Sequence, residues 1–121
     1  MEASRLYLVG KTIGLLTLSN VFMTFAWYGH LKYKSKPLLI VILVSWGIAF
    51  FEYCLQVPAN RIGSEAMSAS QLKVIQEIIT FIVFAAFSFW FLKQSPTAND
   101  VIAFAFIVAA VFISLFQPFK F

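Results

Sequence analysis

The chain has 121 residues, 61% of them hydrophobic and 12% charged, with a mean hydropathy of +0.88 and a net charge of +4. A water-soluble domain of this size has too little interior to hide fifteen phenylalanines, whereas lipid accepts them, so composition excludes a soluble globular fold. A hydrocarbon core about 30 Å thick takes about 20 apolar helical residues per crossing, which leaves room for four crossings, short connections and no separate soluble domain.

In chain order, the first apolar stretch covers about residues 4–29 and is interrupted by Lys11 and Asn20. It continues to Trp27 and Tyr28, residue types typical of a membrane interface, and lacks a small-residue cleavage site, which predicts a retained helix rather than a signal peptide. Pro37 stands at the first turn of a second helix, expected over about 38–57 and ending at Pro58. Residues 58–70, with Gly, Ser and Asn for turns, form the one substantial expected loop. A third helix is expected over about 71–92 and a fourth over about 97–116, where Thr97 and Asp100 have capping-box spacing. Strands are excluded because no run alternates with period two and an open sheet edge cannot be left in lipid. The fold class is therefore an all-α membrane protein, with residues 1–121 as a single domain of four transmembrane helices.

The basic residues divide almost evenly between the two sides. Lys32, Lys34, Lys36 and Lys93 share one face, and Arg5, Arg61 and Lys120 the other, with Lys11 and Lys73 just inside helix ends. The Lys32–Lys36 cluster places its loop in the cytoplasm, while the near tie leaves dual insertion open. These charges beside apolar helices suit lipid headgroups, not nucleic acid. One cysteine, Cys54, and one histidine, His30, provide no intramolecular disulfide and no dedicated zinc site, and no phosphate loop or nucleophile elbow is present, so neither metal nor cofactor is expected. His30 is read as a residue meeting the carbonyls at the end of the first helix.

Ionisable residues inside apolar runs carry the functional signal, since a charge at the bilayer centre costs at least about 2.5 kcal/mol on insertion scales. Lys11 lies about seven residues into helix one, Glu52 about six before Pro58 and Glu77 about seven after Ser70, so each is expected roughly 10 Å deep from the same side, where the three form one polar cluster. In a structural reading Lys11 pairs with Glu52, Arg61 folds back over them, and Lys73 pairs with Glu77 four residues on. In a functional reading a carboxylate, Glu52 foremost and Glu77 second, alternates between a proton and a cationic substrate. Ser45, Ala49, Glu52 and Gln56 share one helical face, and Thr17, Asn20, Thr24 and Tyr28 share another, so two polar faces are available to line a cavity. Asn20, Gln56, Tyr53 and Trp46 are the expected neighbours of Glu52, with Trp46 either packing or stacking on a cation. Small residues at Gly10 and Gly14, Ala105 and Ala109, and Ala110 and Ser114 mark candidate close approaches of helices.

Residues 22–32 (FMTFAWYGHLK), 45–63 (SWGIAFFEYCLQVPANRIG) and 71–77 (QLKVIQE) resemble a small bacterial group of drug/metabolite transporter, or DMT, proteins of unknown function. The resemblance covers nearly the whole chain. It implies a place in the superfamily that also holds the four-helix small multidrug resistance proteins, proton-coupled exporters that work as antiparallel dimers in the bacterial inner membrane. Those proteins carry their essential glutamate in the middle of helix one, where this chain has Asn20 and Lys11, so that residue is not carried over.

The expected function is a small secondary transporter that exports or exchanges a small cationic or amphiphilic compound, coupled to protons. The alternative is a non-transporting assembly or accessory protein whose charge cluster is structural. An enzyme is not expected, because no nucleophile and base stand at a supporting spacing. A homodimer is expected, because four helices of about 20 residues enclose little space for a substrate and a path past it.

Overall fold

A computed structural model describes residues 2–119, with side chains from Ala3 onward; Lys120, counted above in the charge balance, lies outside the described residues. Its elements are α1 (Glu2–Tyr28), a short 3-10 helix (Gly29–Tyr33), α2 (Leu38–Gly63), α3 (Ala69–Trp90) and α4 (Ala98–Phe116). All four α-helices are long and apolar enough to cross a membrane, and no strand occurs among the described residues.

Two helix starts are built by reciprocal caps. Thr97 accepts from the backbone N–H of Asp100 while Asp100 accepts from that of Thr97, as the sequence spacing predicts. Ser68 and Gln71 make the same exchange at the start of α3, so that helix begins two residues earlier than expected. Pro37 precedes the first residue of α2 instead of lying within its first turn, and its carbonyl accepts from Val41.

The largest departure from expectation is at Pro58. α2 does not stop there but runs on to Gly63, and the expected thirteen-residue loop contracts to the turn at 64–68. A proline inside a helix removes one backbone donor. Here the turns beyond it are held by tertiary packing, with Ala59 fully buried and Gly63 pressed against α1 and α3. A Cβ added at Gly63 would stand 2.5 Å from Leu72 Cδ2 and 2.8 Å from Thr12 Cγ2. Gly63 is thus a glycine at a close approach of helices, whereas Gly10 and Gly14 face open space and make no close approach within the chain.

α1 is the hub: it packs along α2 and also against α3, and α4 packs on α3. The contact surface has three zones. Near the 64–68 turn Leu16, Ala59, Met67, Leu72, Ile75 and Ile79 form an aliphatic cluster. At the opposite end Phe25, Phe87 and Phe91 meet with ring centroids 4.9–5.3 Å apart, and the Lys32 ammonium lies 4.5 Å from the Phe91 ring centre. Between them lies a belt of buried polar side chains. The outward faces are apolar and exposed, as at Trp46, Phe50 and Phe106, the pattern of helices that meet lipid rather than water.

Candidate functional site

The polar belt begins with two consecutive residues of α1. Ser19 and Asn20, 0% and 1% exposed, project about 100° apart around the helix, so one turns toward α2 and the other toward α3. The Asn20 side chain donates to the Leu16 carbonyl at 2.7 Å and accepts from the Thr80 hydroxyl of α3 at 2.6 Å. Thr24, also buried, donates back to the Asn20 carbonyl at 2.7 Å. Thr12 donates to Leu8 in the same way, completing a buried polar stripe at positions 12, 19, 20 and 24. Thr17 is not on that stripe; it is exposed and donates to Ile13 on its own helix.

Toward α2, the Ser19 hydroxyl stands 2.8 Å from Gln56 Oε1, 3.2 Å from Glu52 Oε1 and 3.4 Å from the Glu52 carbonyl. One proton therefore faces three acceptors. Gln56 Nε2 then donates to Gln76 Oε1 of α3 at 2.7 Å, and Gln76 Nε2 donates to Asn60 Oδ1 of α2 at 2.6 Å. The result is a continuous chain, Glu52, Ser19, Gln56, Gln76, Asn60, that crosses three helices. No buried side-chain nitrogen or oxygen among the described residues is left without a partner, as a low-dielectric interior requires.

Glu52 sits near mid-span. With α2 extending to Gly63, it lies eleven residues, about 16 Å, from that helix end rather than about 10 Å. Its carboxylate is partly buried, contacts Ser19, and makes no ion pair among the described residues.

The expected cluster of Lys11, Glu52 and Glu77 does not assemble. Lys11 stands next to Thr12, at the level of Gly63, and its ammonium lies 6.0 Å from the Tyr7 ring centre in an exposed position. Ser19, not Lys11, is the α1 residue level with Glu52, because the longer α2 moves Glu52 about 6 Å deeper than an end at Pro58 would have it. Arg61 does not fold back over Glu52 either; it is exposed in the last turn of α2, where a cation complements the negative end of the helix dipole. Lys73 and Glu77 do pair, at 2.9 Å, on the exposed side of α3 and apart from the belt. Trp46 and Tyr53 also face outward, yet they line with Glu52 one shallow groove of about 590 Å³ along α2. Asn20 belongs to the belt through Thr80 rather than through Glu52.

Sequence reasoning missed Ser19, Asn60, Gln76 and Thr80. Asn60 continues the Glu52 and Gln56 stripe by one more turn, a signal that exists only when the helix runs past Pro58. Gln76 and Thr80 are spaced i, i+4 between buried Leu72 and Ile79 and the neighbouring Glu77, whose charge drew attention instead.

Residues 12–115 match the family model described as "Putative member of DMT superfamily (DUF486)". The chain belongs to this family. No curated protein and no solved structure matches. The matched span begins at Thr12 and ends in the last turn of α4, so it contains the whole belt, α1 from Thr12 onward, all of α2 and α3, nearly all of α4, and the Glu52 carboxylate. DUF486 membership and four membrane-spanning helices together make this a multi-pass membrane protein of a transporter superfamily.

Proposed function

We propose that this DUF486 protein is a secondary transporter of the bacterial inner membrane, working as a homodimer, in which Glu52 exchanges a proton for a small cationic or amphiphilic substrate. The observation that carries the reading is a carboxylate near mid-span that has no cationic partner among the described residues and is instead hydrogen-bonded to a buried serine. A charge at that depth is costly unless a ligand or a proton neutralises it in turn. The groove that Glu52 shares with Trp46 and Tyr53 adds aromatic faces suited to a cation. Because that groove is shallow and opens on the outside of α2, a second copy supplies the missing wall, which supports the dimer.

The test is transport by purified protein in liposomes with an imposed pH gradient, using tetraphenylphosphonium and a panel of small hydrophilic cations. Wild type is expected to drive one or more of them against proton flow, and Glu52→Gln, which keeps size and hydrogen bonding, to remain folded and lose the dependence on the gradient. Unchanged gradient-driven flux in folded Glu52→Gln would overturn the role of Glu52, and wild-type cross-linking that yields only monomers in native membranes would overturn the dimer.

A further inference from the structure

The side-chain chain from Glu52 to Asn60 has a direction. Ser19 donates to Gln56, Gln56 to Gln76, and Gln76 to Asn60, so every donor points away from Glu52. Ser19 has one proton for both Glu52 and Gln56, and when the proton goes to the nearer acceptor, Gln56 Oε1 at 2.8 Å, the Ser19 oxygen faces Glu52 Oε1 at 3.2 Å with only lone pairs to offer. The contact is satisfied when Glu52 carries a proton and donates it to Ser19. It is repulsive when Glu52 is a carboxylate, which accepts and cannot donate.

A carboxylate is satisfied by the opposite direction. Ser19 then donates to Glu52, Gln56 Nε2 donates to Ser19, Gln76 Nε2 to Gln56, and Asn60 Nδ2 to Gln76. Each amide reaches this arrangement by turning 180° about its last torsion, which exchanges oxygen and nitrogen without moving the backbone. Mixed directions leave two donors or two acceptors facing each other inside the protein, at a cost that favours the two uniform states.

We infer that Ser19, Gln56, Gln76 and Asn60 form a two-state relay that reads the protonation state of Glu52 and reports it at Asn60. With Glu52 protonated, Asn60 Oδ1 is held by Gln76 and its Nδ2 is turned away from the chain. With Glu52 ionised, Nδ2 is held and Oδ1 is turned away. Loss of one proton at Glu52 thus replaces a donor by an acceptor at the last turns of α2, eight residues or about 12 Å along the helix. An outward Oδ1 accepts a cationic or hydrogen-bond-donating group of a substrate, and an outward Nδ2 opposes it. The relay rests on the proposed proton exchange at Glu52 and supplies its link to substrate at a second position.

Among the described residues, no other ionisable side chain is bonded to Glu52 or to the relay. Residues 13–27 of α1, the stretch packed at its level, have no ionisable side chain. Beyond them Lys11 lies by Tyr7, and Tyr28 packs on Phe84. On α2, Tyr53 and Cys54 are exposed, as is Arg61 at the helix end. On α3, Lys73 and Glu77 are paired with each other.

The relay is tested by solid-state NMR of full-length protein in lipid bilayers, with side-chain labels on glutamate, glutamine and the three asparagines, Asn20, Asn60 and Asn99. The Asn60 and Gln76 amide signals are expected to move with pH at the midpoint of the Glu52 carboxyl signal, while Asn99 stays still. In Gln76→Met, Glu52 is expected to keep titrating while Asn60 no longer follows. Ser19→Ala, which breaks the chain at its first link, is expected to do the same and serves if Gln76→Met does not fold. A wild-type Asn60 signal that stays fixed while Glu52 titrates overturns the relay and leaves the proton site standing. Asn60 still following Glu52 in either broken chain also overturns it. A Glu52 signal that never titrates removes both.

Discussion

Glu52 and Glu77 look alike in the sequence, each a lone carboxylate inside an apolar run, yet the fold treats them oppositely. Glu77 sits on the exposed side of α3, four residues from the lysine that neutralises it, so its charge is handled within one helix. Glu52 faces another helix and is met by a serine with one proton to share among three acceptors. A carboxylate paired on its own helix is complete. One that depends on a neutral network still has an unassigned charge, which is why the proposed exchange of proton and substrate is placed at Glu52.

Glutamine substitution at each position is the most forceful way to break this contrast. Glu52→Gln is expected to lower proton-driven flux by about tenfold or more, because it removes the exchangeable charge, while Glu77→Gln changes flux less than about twofold. Flux measured in liposomes for both variants side by side checks this, and an equal loss would erase the distinction.

Two glycines, Gly63 at the end of α2 and Gly10 in α1, offer a second comparison. Gly63 fits against Thr12 and Leu72 where no Cβ has room, while Gly10 faces open space. Thr12 is fully buried and tied to its own helix by its bond to Leu8, so it cannot yield freely. Gly63→Ala is expected to cost about 1–3 kcal/mol of stability through overpacking, and Gly10→Ala to be neutral or slightly stabilising, read from unfolding curves in detergent.

A smaller effect is expected at the other arm of the belt. Asn20→Leu or Thr80→Val each removes one partner of a buried hydrogen bond and is expected to cost about 1–2 kcal/mol, with the double variant costing less than the sum. Additive losses in the same unfolding assay would show that the two side chains do not act as a pair. The smallest change is at the outer ion pair: neutralising both Lys73 and Glu77 as glutamines is expected to shift stability by no more than about 0.5 kcal/mol, since the pair is exposed.

Composition, hydropathy and local residue spacing determined four membrane-crossing helices, most of their ends, the Thr97 cap and the Lys73 and Glu77 pair. These are local properties: apolar length sets a crossing, and positions four apart on a helix meet whatever surrounds them. The sequence also marked Glu52, Gln56 and Asn20 as out of place in lipid. What it did not determine is who meets whom across helices. Pro58 reads locally as a stop, and only the burial of Ala59 and Gly63 against the neighbouring helices carries α2 past it. That extension slides Glu52 away from Lys11 and sets it against Ser19, and it brings Asn60 onto the same stripe to meet Gln76. Register between helices depends on packing summed over many side chains, so the partner of Glu52 was decided by the tertiary structure and not by its own neighbourhood in the chain.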